Sequence, residues 1–299
     1  MINVNYREVS LNKDFNQIKY KFLKNFKKKL SNKYYSWRYN FGNKNYCFLA
    51  LKDNEVIGHV GFVRYKTYNK NFFVSRHSSF VDRKYRRKNI YSSLIKYSLQ
   101  KLKKRKILFV QTWPNDSNIH TNKKFQNLIK LPTNKIYVSN SHNKKTKIKL
   151  IKFTKIIQLK KYLIYKKNNL INKNADYFFW RYIKKKPKED YYIHIFEEKK
   201  SLLIFSYNKK DKIYNLLDHL GKKDVFFDHI GLINNRMKFI FWININEEKT
   251  KKFKKLKLKK YSTKLFNSFL IPINKINHFP KYRSLNFSMG DTDTFIQKI

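Results

Sequence analysis

Five of the seven residues from Arg83 to Asn89 are arginine or lysine, within the stretch FVDRKYRRKNIYSSLI at 80–95. An apolar run ending at Asp82 precedes them, and a helical pattern starting near Asn89 follows. The first N–H groups of a helix have no intrahelical acceptor, and the helix dipole makes that end partly positive. An anion placed there gains several N–H bonds at once. Arg86, Arg87 and Lys88 add charge, so the junction suits a pyrophosphate. A solvated charge run and a nucleic-acid patch are the other readings of the same residues.

Groups able to move a proton lie elsewhere along the chain. His77 sits on the strand pattern VSRHSSFVD, and its reference pKa is near neutrality. A packed or surface histidine is the commoner outcome at such a position. His120 begins a later helical stretch and stands on the same footing. Asp291 and Asp293, in GDTDTF, read equally as proton acceptors or substrate ligands and as caps of a turn. Eight scattered histidines and one cysteine do not reach a four-ligand zinc site with plausible spacing. No Walker loop, Gly-rich kinase loop or Gly-x-Ser-x-Gly occurs. Cys47, the one cysteine, lies in the apolar NYCFLAL and reads as a small core residue.

The elements that must position these groups are legible in outline. The chain of 299 residues is 41% hydrophobic and 17% aromatic, enough for one large domain or two ordinary ones. Helices are expected around 11–30 and 32–39, and strands near 46–52, 55–66 and 72–82, with a turn at Asp53-Asn54. A helix from 90 to 104 carries Ile90, Leu94, Ile95, Tyr97, Leu99 and Leu102 at helical spacing. A buried strand follows at 107–113, closed by Pro114, and then a helix around 118–130.

Part of this pattern recurs. Trp37-Arg38-Tyr39 is matched by Trp180-Arg181-Tyr182, each followed by a polar stretch, a strand, a charged turn and a second strand. KILFVQTWPND resembles RMKFIFWININE, with Trp113 set against Trp242. Two landmarks in the same order indicate duplication. The expected fold is α/β (α+β): two similar halves, each a mixed, mostly antiparallel sheet flanked by helices. Their expected limits are 1–150 and 151–299. Trp37 and Trp180 read as core anchors. Arg38 and Arg181 read either as anion ligands or as helix-end caps.

Sixty-nine basic residues against 19 acidic ones give a net charge of +50. Such a surface attracts polyanions, acidic lipid headgroups and phosphorylated cofactors. Lys, Asn, Ile, Phe and Tyr all have A/T-rich codons, however, and the basic residues are spread along the whole length. The charge therefore names no partner by itself. The N-terminus shows no apolar signal-peptide core, and no run of about 18 apolar residues occurs. A cytoplasmic protein is expected, with a basic face suited to an anionic membrane.

The junction itself resembles the GNAT family of acyl-CoA-dependent N-acyltransferases, whose hallmark is a strand, Arg/Gln-x-x-Gly-x-Gly/Ala and a helix. Here Tyr85-Arg86-Arg87-Lys88-Asn89-Ile90-Tyr91 stands in that place, with Asn89 and Tyr91 in the two glycine slots. Glycine permits positive φ and close phosphate approach; Asn tolerates the left-handed region better than Tyr. WPNDSNIHTNKKFQNL, at 113–128, resembles the segment after the family's fifth strand, with Asn115 in the Asn position and Phe125 nearest the usual Tyr acid. The paired halves and FSMGDTDTF resemble a tandem subgroup associated with polysaccharide biosynthesis.

That resemblance implies acetyl-CoA as co-substrate, no metal, and acetyl transfer to the amine of a small molecule such as an amino sugar or nucleotide-linked sugar. It places cofactor contacts on the backbone around Phe80, Val81 and Asp82, on Arg86, Arg87, Lys88, Asn89, Ile90 and Tyr91, and on Asn115. His77, His120, Asp291 and Asp293 are the proton-handling candidates. The second half, with HLGKKDVFFDHI at the corresponding junction, is expected to shape the substrate cleft. The alternatives are an aminoacyl-tRNA-dependent transferase of the same architecture and a non-catalytic basic nucleic-acid-binding protein.

Overall fold

The structure, a computed structural model, describes residues 3–39, 46–67, 71–113, 128–131, 133–139, 148–165, 173–184, 190–244, 248–266 and 268–274. The chain forms two compact units. One is built on Met1–Lys130 and a strand that returns from the C-terminal side; the other is built on Leu131–Asn267.

In the first unit, β1 (Asn5–Glu8) leads into α1 (Leu11–Phe26) and α2 (Asn32–Tyr39). The helix α1 stops short of the expected residue 30, because Lys27 turns left-handed (φ 57°) and its N–H bonds Leu23 O. The hairpin β2 (Cys47–Lys52) and β3 (Glu55–Lys66) closes on Asp53 and Asn54, both at positive φ (48° and 62°). Two positive φ values are what a two-residue turn needs to match strand twist, and Asp and Asn tolerate them. Then come β4 (Phe72–Val81), α3 (Ile90–Lys104) and β5 (Ile107–Thr112). Ile90, Leu94, Ile95 and Leu102 of α3 are buried with Phe48, Phe62, Val74 and Val110 of the sheet. Tyr97 and Leu99 pack against the same cluster.

The expected helix at 118–130 ends differently. Ile129–Lys130 is a short strand, β6, and it pairs with β14 (Phe269–Pro272), more than a hundred residues downstream. Local periodicity carries no information about so distant a partner. Residues 118–127 of that expected helix lie outside the described residues.

The second unit repeats the plan. Its strands are β7 (Asn134–Val138), β8 (Ile151–Lys152), β9 (Tyr191–Phe196), β10 (Ser201–Asn208), β11 (Ile213–Leu220), β12 (Phe239–Asn244) and β13 (Lys259–Phe266). Its helices include the short α4 (Ala175–Phe178), which continues as a π turn through Ile183, then α5 (Phe226–Asn234) and α6 (Lys251–Lys255).

The first sheet runs β1-β2-β3-β4-β5-β14-β6 and the second β8-β9-β10-β11-β12-β7-β13. Both have the same orientations: antiparallel throughout except at the fourth and fifth strands, which pair in parallel. Each sheet takes its sixth strand in spatial order, β14 or β7, from outside the stretch that supplies its first five. The division at residues 130/131 therefore replaces the expected 150/151, because β7 pairs with β12 and β13. The Trp-Arg-Tyr landmarks do fall at equivalent places, on α2 and on the turn after α4. The second pair does not: Trp113 follows the last residue of β5, whereas Trp242 lies inside β12.

A line of polar groups runs through the second unit. His194 Nδ1 lies 2.8 Å from His229 Nε2, His229 Nδ1 lies 2.7 Å from Ser201 Oγ, and Ser201 Oγ lies 2.9 Å from His219 Nε2. One hydrogen bond direction satisfies the whole line with every histidine neutral. Burial, with His194 and His219 close by, pushes His229 down to about 2. The unfolded chain takes up a proton near the ordinary value of 6.5 while the folded one does not. This contribution is therefore full above that pH and is lost as pH falls below it. Replacing His229→Gln should flatten the decline in thermal stability between about pH 7 and about pH 5, by up to roughly 1 kcal/mol per pH unit. Circular-dichroism melts of both proteins check this; equal declines would contradict it.

Candidate functional site

The strand β4 pairs with β3 from end to end, but not with β5. Its parallel ladder with β5 ends at Ser75–Gln111, although β4 runs on to Val81. Opposite β3 the register slips between His59–Phe80 and Gly61–His77, and Ser78 takes φ 48°. This bulge is braced from below. His59 Nδ1 donates to Ser78 O (2.8 Å), and Tyr35 OH on α2 bonds His59 Nε2 (2.9 Å). Burial pushes His59 down to about 4, so it is neutral at ordinary pH. The ring stacks on Phe80 at 5.5 Å. The sequence reading missed His59, although a lone histidine within the apolar EVIGHVGF was a signal of a bonded buried group.

Tyr39 lies over Gly61, where an added Cβ would come within 2.6 Å of its ring. The neighbouring strand residue, His77, is buried on β4 opposite Gly61.

Beyond the bulge the strand ends in an anchored turn. Asp82 N–H donates to Ile57 O at 2.8 Å, so it is not open to a ligand. Strand amides alternate in direction, so the Val81 N–H faces away from β3. The Asp82 carboxylate accepts from Lys84 N–H (3.3 Å) and from the buried Lys21 ammonium of α1 (2.6 Å). Burial would raise the Asp82 carboxyl, but the Lys21 hydrogen bond and the Lys84 amide hold it below its ordinary value. Lys21 also reaches Glu55 at 2.5 Å.

A 3-10 turn at Arg83–Tyr85 follows, with Tyr85 packed on the core. Arg86 is a fastener: its Nε donates to Val81 O and its Nη2 to Asn25 Oδ1 of α1, both at 3.2 Å. Arg87 (φ 63°) and Asn89 (φ 57°) are left-handed, and α3 starts at Ile90. Ser93 N–H makes the first bond back to Asn89 O. The amides of Ile90, Tyr91 and Ser92 thus lack intrahelical acceptors. Arg83, Lys84, Arg86, Arg87 and Lys88 are all exposed around them.

The positive φ values fall at Arg87 and Asn89 rather than at Asn89 and Tyr91. Tyr91 is an ordinary helical residue whose ring packs on the core and lies 5.9 Å from the Arg76 guanidinium. Arg76 Nη2 in turn donates to Thr112 Oγ1 at 2.6 Å, across the opened ladder.

The structure thus gathers Phe80, Val81, Asp82 and Arg86 to Tyr91 at one junction, with His77 on the far side of the bulge. Asn115, His120, Asp291 and Asp293 lie outside the described residues. Trp37 and Trp180 are buried. Arg38 is buried too, and its Nη1 donates to Tyr34 OH at 2.7 Å; Arg181 is buried beside the Tyr182 ring. Burial pushes the Cys47 thiol up to about 12, which suits the core and not a nucleophile. Among the described residues, no group of three or more His, Cys, Asp or Glu could hold a metal ion. No helix there is long and apolar enough to cross a membrane.

Residues 12–125 match the acetyltransferase (GNAT) family model. That stretch of the first unit, more than a third of the chain, is therefore similar to the family. Solved structures extend the likeness over both units. A GCN5-related N-acetyltransferase from Anabaena variabilis is 11% identical, with a TM-score of 0.64 over 91% of this chain and 73% of its own. A probable N-acyltransferase of unknown function from Enterococcus faecalis gives 10%, 0.64, 91% and 73% in the same terms. The N-myristoyltransferase of Saccharomyces cerevisiae, solved with bound myristoyl-CoA, gives 12%, 0.61, 91% and 83%. At these identities the likeness is one of fold, and it bears out two GNAT-like halves. No curated protein matches the sequence.

The junction before α3 hangs on a buried ion pair. Lys21→Met leaves the Asp82 carboxylate, whose side chain is 1% exposed, without its ammonium. The expected loss is about 3 kcal/mol, read as a lower urea midpoint. A change under about 0.5 kcal/mol would mean that the pair does not anchor the turn.

Proposed function

We propose that the protein is an acyl-CoA-dependent N-acyltransferase whose first half binds the cofactor. The observation that carries this reading is the turn before α3. Three helix amides without intrahelical acceptors, two left-handed residues and five exposed cations lie within this one short turn. Arg86 fastens the turn, and the remaining donor set fits a pyrophosphate.

In this reading Arg87, Lys88 and the amides of Ile90, Tyr91 and Ser92 take the diphosphate of acyl-CoA. The opened edge of β4 takes the pantetheine arm, with the Val81 N–H directed to that side. The thioester supplies an activated acyl group. A neutral amine attacks its carbonyl carbon, the C–N bond forms, the C–S bond breaks, and the thiolate takes up a proton. His77 is our choice for the group that accepts the amine's proton. Acetyl is the proposed acyl group, a small amine such as an amino sugar or nucleotide-linked sugar the proposed acceptor, and the cytoplasm the proposed location. Asn115, His120, Asp291 and Asp293 stay assigned to the same site.

Calorimetric titration with acetyl-CoA tests the proposal. Because Arg86 also fastens the turn, the informative variant is Arg87→Ala/Lys88→Ala. Saturable micromolar binding, weakened about tenfold in the variant, is expected; that corresponds to roughly 1.4 kcal/mol. A short RNA should give no saturable heat at moderate salt. No acetyl-CoA binding, or binding indifferent to the variant and matched by RNA, would sink the assignment and favour the basic nucleic-acid-binding reading.

A further inference from the structure

The outer face of α1 is unlike an ordinary solvated helix face. Tyr20, Leu23 and Phe26 are 62%, 43% and 37% exposed. Spaced three residues apart, they fall on one side of the helix and make a continuous apolar stripe. Lys13, Lys19, Lys24 and Lys27 are exposed around it. The one acidic residue of α1, Asp14, is buried on the opposite side and paired with Arg7 at 2.7 Å. The exposed arc thus holds lysines and the neutral amides of Asn12 and Asn16 around an apolar stripe, and no acidic residue of α1. The inner face is fully occupied: Ile18 is in the core, Lys21 holds Asp82, and Asn25 bonds Arg86.

We propose that this face of α1 docks on an anionic lipid surface, lying in the interface with Tyr20, Leu23 and Phe26 at the acyl boundary and the lysines among the headgroups. The pattern is that of an interfacial helix: an apolar centre, a lysine rim and no exposed acid. Lysine at such a surface adds attraction that falls off within a Debye length. A nucleic acid is the weaker fit, because bases need rings to stack on and the middle of the stripe is an aliphatic leucine. The inference does not depend on the acyltransferase reading. The net charge alone does not carry it either, since lysines occur over the whole chain; the apolar stripe within them does.

Co-sedimentation of the full chain with vesicles tests it, using phosphatidylcholine alone and phosphatidylcholine mixed with phosphatidylglycerol, at moderate salt. Binding is expected to the mixed vesicles only. Tyr20→Ser/Leu23→Ser, both at exposed positions, should weaken it at least about tenfold while the melting temperature stays put. Lys19→Gln/Lys24→Gln should weaken it too and make the remainder less sensitive to salt. Wild-type-like sedimentation of the Tyr20/Leu23 variant would mean attraction by overall charge alone, and the proposal would fall. So would an absence of binding, or a poly(U) affinity lost in the same variant, which would make the face a nucleic-acid interface.

Discussion

A buried histidine holds the bend in β4 on which the rest of the site depends. Ser78 lies at positive φ, a conformation that costs a non-glycine residue roughly 1 kcal/mol or more. The strand keeps it because His59 donates to the Ser78 carbonyl and is itself bonded to Tyr35. Each such bond contributes about 1 kcal/mol, and leaving either partner bare inside the protein would cost more. The bend explains the geometry downstream. Past Ser75 the strand leaves β5, so among the described residues that edge is not paired. The same bend aims its end at α1, where Lys21 takes Asp82 and Asn25 takes Arg86. The turn before α3 is thus held by α1 on one side and by the strand on the other.

The two units show how one scaffold can be spent differently. Both have seven strands in the same order, a parallel step between the fourth and fifth strands, and a helix across that step. In the first unit the strand-to-helix connection stays open, cationic and rich in free amides. In the second, Gly221 (φ 129°) lets the chain pass so close to Ser201 that an added Cβ would lie 3.1 Å from its Cα. His219, Ser201, His229 and His194 then bond one another in a line across β11, β10, α5 and β9. The fold is the same in both halves; the residues at the two junctions differ.

What could be read from the sequence was what short-range physics decides. The Asp53-Asn54 turn follows from the φ values that a tight hairpin needs. The helix from Ile90 follows from the spacing of Ile90, Leu94, Ile95 and Leu102. The cationic junction follows from five charges between an apolar strand and that helix. What could not be read depends on partners distant in sequence. The short strand at Ile129–Lys130 exists because β14 comes back to pair with it. The sixth place in each sheet is filled from elsewhere in the chain, which moved the boundary between the units. His59 and the histidine line of the second unit were overlooked for a related reason. A buried polar side chain is explained by its partners, and those partners lie on other strands.

The most consequential departure from the family pattern was the loss of both glycines, and the backbone shows why it matters less than the sequence suggests. Only one of the two slots, Asn89, is left-handed, and asparagine is among the side chains best able to adopt that conformation. The other, Tyr91, is in the first turn of a normal helix, where a Cβ meets no conformational penalty. Its ring turns to the core and to Arg76, leaving its own N–H at the end of the helix. The second left-handed residue is Arg87, at a position that the Arg/Gln-x-x-Gly-x-Gly/Ala hallmark leaves open. Two non-glycine residues in that region cost together about 2 kcal/mol. Strain of this size is kept where the surroundings enforce it, and Lys21, Arg86 and Tyr85 do so here. A stiff turn of this kind loses less freedom on binding than a flexible glycine loop would, so the missing glycines are compatible with an intact anion site.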